Sequence, residues 1–135
     1  MTRNRLFPRI LAASAIGALS LAVAVGLVTA VGPSLSLSER VLHEESSQEA
    51  GVTYEYAGAR HASDLLLVRV RRLTGVDHEL RIGPGAADYY YPVEVGFGFG
   101  DPQIRDVEWQ TDGVTVTFEA GDSVHVPADN FRSVR

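Results

Sequence analysis

Few side chains in this sequence are equipped for chemistry, and they are scattered. It contains four histidines and no cysteine. The missing cysteine removes disulfides, thiolate metal sites and thiol catalysis together. The string His61-Ala62-Ser63-Asp64 holds the residue types of a hydrolase triad. Triads, however, assemble from separated segments, and adjacency along the chain supplies no such geometry. Ser63 and Asp64 fit a turn before the strand that starts at Leu65. Asp77-His78-Glu79 gathers three potential metal ligands, but strand alternation sends the middle one away from its neighbours. No spacing matches a structural zinc site or a calcium loop. These residues predict no catalytic residue, no metal site and no cofactor. A small exported hydrolase or metal-assisted enzyme using His61, Ser63, Asp64 or His78 is the alternative reading.

The segment Tyr89–Phe99 carries the better candidate. Tyr89, Tyr91, Val93, Val95, Phe97 and Phe99 share one face of an extended strand, and Tyr90, Pro92, Glu94, Gly96 and Gly98 the other. Pro92 cannot donate to a ladder, which places this strand at a sheet edge. Tyr89 and Tyr90 beside such an edge are candidate contacts for an extended protein or peptide partner. Gly96-Phe97-Gly98-Phe99-Gly100 is not a phosphate loop, because Asp101-Pro102 and another strand follow it where a helix would have to open.

Charge narrows the partners. Three of the 12 basic residues precede residue 10, leaving nine arginines against all 17 acids in the remainder. An acidic domain of this kind predicts no nucleic-acid partner and argues against anionic headgroups, since both need clustered positive charge. Beyond the N-terminal arginines, Arg69, Arg71 and Arg72 form the only basic cluster in the sequence, and alternation splits it between faces.

The elements that must position these residues follow an uncharged run of 29 residues from Ile10 to Ser38. Its densest part is long enough, at about 1.5 Å per residue, to cross a hydrocarbon core of about 30 Å as a helix. Arg3, Arg5 and Arg9 precede it with no acid among them, so the N-terminus stays cytoplasmic and the rest is exported. Val28-Thr29-Ala30 also fits a signal-peptidase site, which would release the protein by cleavage near Ala30. The predicted organisation is a basic cytoplasmic segment (1–9), a transmembrane helix or signal peptide (10–32), a juxtamembrane linker (33–50) and an extracytoplasmic β domain (51–135). Ser38 can N-cap a short helix through Glu45 within the linker.

From Val52 the hydrophobic period becomes two, predicting an all-β fold: a small antiparallel sandwich or partial barrel of six or seven strands. Leu65–Leu73 is apolar on both faces at its start and therefore central, with Leu66, Val68 and Val70 toward the core. Leu80, Val95, Phe97, Val107, Trp109, Val116, Phe118 and Val126 complete the expected core. The last third reads as a three-stranded meander. Asp112-Gly113 predicts a type I′ turn pairing Trp109 with Val116. Parity then requires Phe118 to pair with Val126 across a longer turn over Gly121–Ser123. Trp109-Gln110-Thr111-Asp112-Gly113 resembles the hairpin of β-propeller blades over about 25 residues, but a propeller needs several blades and no repeat is present. The resemblance therefore assigns no family.

Overall fold

The structure, a computed structural model, describes residues 35–96 and 100–134. The segment read as a transmembrane or signal helix (10–32) lies outside these residues, as does Phe97. Among the described residues no helix is long and apolar enough to cross a membrane.

The described residues form nine strands: β1 (Ser36–Ser46), β2 (Tyr54–Tyr56), β3 (Ala59–His61), β4 (Asp64–Arg72), β5 (Gly75–Gly85), β6 (Tyr89–Glu94), β7 (Ile104–Gln110), β8 (Gly113–Phe118) and β9 (Ser123–Pro127). A four-residue helix, α1 (Ala128–Phe131), follows β9. One sheet has the order β1-β4-β5-β6 and another β7-β8-β9, with β2-β3 a separate hairpin. All pairings are antiparallel, and the two larger sheets share one core, consistent with a sandwich. The nine strands exceed the expected six or seven because of two segments. The polar stretch between Tyr56 and Asp64 contains a short strand, β3, and the helix expected from Ser38 through Glu45 is strand β1, paired along β4. The sheet thus begins inside the segment assigned to the linker.

Strand β4 is central as its sequence requires, but its main core face is the other one. Leu65 and Leu67 join Leu80, Ile82, Val95, Trp109, Val116, Phe118 and Val126 in the shared core. Leu66, Val68 and Val70 form a second cluster on the opposite face with Ala86. A strand apolar on both faces carries no periodic signal to say which side meets a second sheet.

The meander keeps the predicted faces and shifts both registers. Trp109 pairs with Val114 and Val107 with Val116, so the loop is Thr111-Asp112. Neither loop residue has positive φ, which excludes a type I′ turn. Val126 pairs with Val114 rather than Phe118, and the Phe118 amide donates to the Asp122 carbonyl at 2.9 Å. Each slip moves both strands by an even total, so every inward side chain stays inward. Tyr54 fixes the first turn by donating its hydroxyl to the carbonyls of Gln110 (2.9 Å) and Gly113 (3.3 Å). Burial and the nearby Asp112 push this phenol up to about 12. Phe131, which as the last large apolar residue would be expected to fold back onto the domain rim, instead enters the core. It is fully buried, edge-on to Tyr54 with ring centroids 4.9 Å apart.

One serine, just past the end of β1, joins the segments on either side of the β2-β3 hairpin. Ser47 is fully buried and its backbone N–H donates to Ser63 O at 2.8 Å. Its hydroxyl donates to Val52 O (2.8 Å) and accepts from Ser63 N–H (2.9 Å), while its carbonyl accepts from Val52 N–H (2.9 Å). Ser47→Ala leaves a buried amide and a carbonyl without partners, a loss of about 1–3 kcal/mol. Urea unfolding should show this as a lower midpoint at unchanged slope, whereas the exposed neighbour Gln48→Ala should leave the midpoint in place.

Candidate functional site

Strand β6 is an edge strand, as Pro92 requires. The Val95 amide donates to His78 O at 2.9 Å, which sets the phase of the ladder. The backbone groups of Tyr91 and Val93 face β5, and those of Pro92 and Glu94 face outward. Pro92 therefore removes a donor from the free edge, a device that discourages strand addition. Gly83 lets β6 approach β5 at the irregularity between Ile82 and Gly85: a Cβ there would collide with the Tyr89 carbonyl oxygen.

The two tyrosines are separated rather than brought together. Tyr89 is 56% exposed and lines a shallow apolar groove of about 540 Å³ with Pro84, Gly85 and Val134. Tyr90 turns to the opposite face, where its ring lies 4.6 Å from the Arg81 guanidinium. Arg81 is buried and holds both carboxylate oxygens of Glu39 (2.8 and 2.9 Å) while its Nε donates to Glu79 at 2.6 Å. The network therefore joins β1, β5 and β6 on the face that carries Leu66, Val68 and Val70. The Arg81 hydrogen bonds hold the Glu39 carboxyl below its usual range, and those carboxylates in turn raise the guanidinium.

The hydrolase residues do not assemble. Ser63 Oγ and His61 Nε2 are both buried without a hydrogen-bond partner, so no base reaches the Ser63 hydroxyl among the described residues. His78 lies elsewhere, with its Nε2 2.8 Å from Asp101 Oδ1. That contact, followed by the influence of Arg69 and Arg40, keeps Asp101 below its ordinary value. Asp77 and Glu79 point to the other face, toward Arg72 and Arg81, which breaks up the Asp-His-Glu string. No group of three or more potential metal ligands occurs among the described residues.

A basic site does assemble, which the linear sequence concealed. Arg72 leaves the cluster to pair with Asp77 at 2.8 Å. In its place β1 contributes Arg40 directly opposite Arg69, and Ser38 opposite Arg71. These four residues line a cleft of about 200 Å³. Arg69 and Arg71 stand out in the sequence, but their partner Arg40 is hidden in a segment that reads as helical linker. His43, also in that segment, lies on β1 with its Nε2 3.4 Å from Glu45. Comparison with family models, curated proteins and solved structures finds no match to this chain.

Two outcomes follow from the Arg81 network. Arg81→Met strands the Glu79 carboxylate, itself 12% exposed, and should destabilise by about 3–5 kcal/mol in urea unfolding. The second concerns pH. Because the folded Glu39 carboxyl sits below its unfolded value of 4.5, its contribution is present above pH 4.5 and disappears as pH falls through the lower folded value. Melting temperature should decline across that acid window, and Glu39→Gln should flatten the decline.

Proposed function

We propose that the protein is a membrane-anchored, extracytoplasmic β module that binds a protein or peptide partner and catalyses no reaction. In this reading residues 10–32 form a single uncleaved membrane helix and the sheets stand outside the cytoplasm. The length of the uncharged run and the arginines before it support the topology. The observation that carries the binding reading is Tyr89, a large amphipathic ring left exposed over an apolar groove. Tyr90 contributes from beneath, by covering Arg81, and does not touch the partner. The outward-facing Pro92 favours side-chain capture in the groove over strand addition along β6.

Topology and contact can be tested together in cells making the full chain. Protease applied outside the cytoplasmic membrane should remove the β domain and leave an Arg-rich fragment in the membrane fraction. A soluble product beginning at Val31 would instead establish cleavage. A photoreactive residue placed at Tyr89 should form a discrete adduct that Val134→Asp reduces, while the same residue at exposed Tyr56 should not. Equal adducts from both positions would overturn the assignment of the groove.

A further inference from the structure

We propose that the end of the first sheet nearest the apolar run docks on the membrane surface, with Arg40 and Arg71 binding the phosphate of an anionic phospholipid. The proposal rests on the anchored reading above. Four of the exposed large apolar side chains gather at this end: Leu35, Leu37, Leu73 and Val76, each 44–52% exposed. The register places them together, since Ser36 pairs with Arg72, Arg72 with Gly75, and Arg71 with both Ser38 and Val76.

Tether length puts this end at the bilayer. Only four steps of chain separate Gly32 from Ser36, which at full extension reach about 14 Å. The headgroup layer itself is about 5–8 Å deep on each side of the hydrocarbon. An anchor ending at Gly32 therefore confines the Leu73 hairpin tip to the neighbourhood of the headgroups.

Charge identifies what the arginines meet. Arg40 and Arg69 are direct cross-strand partners, a like-charge juxtaposition that disfavours the pairing unless an anion sits between them. Asp101 answers only part of it: it contacts His78 and, at 3.5 Å, Arg69, and it reaches Arg40 through space without pairing with it. The other acids nearby are committed: Asp77 to Arg72, and Glu39 and Glu79 to Arg81 on the opposite face. Among the described residues Arg40 and Arg71 form no ion pair, and both are exposed beside the cleft with Ser38. Two unpaired guanidinium groups and a hydroxyl, bordered by leucines, match a phosphodiester with its acyl chains behind it. The domain's acidic total does not cancel this attraction, because opposing charge farther than about 8–10 Å is screened.

The absence of cysteine permits a clean test on the full chain. Leu73→Cys and, at the far end of the sheet, Glu49→Cys are each labelled with an environment-sensitive fluorophore. The proteins are reconstituted into phosphatidylcholine vesicles with or without phosphatidylglycerol, all containing a nitroxide-labelled lipid. The label at position 73 should be quenched, more strongly with phosphatidylglycerol, and the label at 49 should not. Combined Arg40→Ser and Arg71→Ser substitution, or high salt, should abolish the phosphatidylglycerol increment, and Arg40→Lys with Arg71→Lys should retain it. Equal quenching at both positions, no increment, or an increment insensitive to the serine substitutions overturns the proposal. Displacement by millimolar inorganic phosphate alone would assign the cleft to a free anion and overturn it likewise. Flotation of the same samples separates the two readings. Protein that floats without quenching refutes docking alone, whereas protein that fails to float refutes the anchor and docking with it.

Discussion

A buried guanidinium braces the first sheet. Strand β4 is apolar on both sides, so each side must be covered, and the second sheet covers only one. Across the other runs Arg81, held by Glu39 from β1 and Glu79 from its own strand, with Tyr90 from β6 over its plane. A buried ion pair of this kind adds little net stability compared with apolar residues of equal volume. Its value here is geometric. Glu39 reaches Arg81 only when β1 sits in one register, because a one-residue slip would carry the carboxylate to the core side. The network thus fixes the edge strand whose own sequence specifies it weakly.

That weak specification explains what the sequence concealed. Strand β1 reads Ser-Leu-Ser-Glu-Arg-Val-Leu-His-Glu-Glu-Ser, and irregularities at Ser36/Ser38 and Val41/His43 break its period of two. Ser38 followed by Glu39 then imitates a helix start. Tertiary pairing overrode the local signal, because the backbone of β4 needed a second partner. The all-β character, the centrality of β4, the edge position of β6 and the inward set of the meander were legible, since each follows from alternation or from Pro92. The hairpin registers were not. Asp112-Gly113 looked like a turn demanding positive φ, yet Gly113 is needed for packing: a Cβ there would lie 2.5 Å from Val126 O. The turn moved by one residue, and even parity protected the faces.

The candidate sites show the same division. Tyr89 and Tyr90, adjacent in sequence, were separated by the pleat into an exposed ring and a structural one. The arginine cleft depends on two residues distant in sequence, Arg40 and Arg69, meeting across a strand pair. Linear charge counting had set this region aside, correctly expecting Arg72 to leave but unable to foresee what would replace it.

Together the two proposed surfaces give the domain a direction. Gly75 begins β5 beside the Leu73 tip, and Gly85 ends it beside Tyr89. The ten steps along its eleven residues, at about 3.3 Å each, put roughly 33 Å between these ends. If the basic, leucine-bordered end rests on the headgroups, Tyr89 and its groove stand clear of the lipid by nearly the length of the sheet. The distance suits capture of a partner from the surrounding space and is poorly suited to contact with a lipid chain. The two proposals therefore require opposite ends of one rigid strand, and neither surface competes with the other for the bilayer.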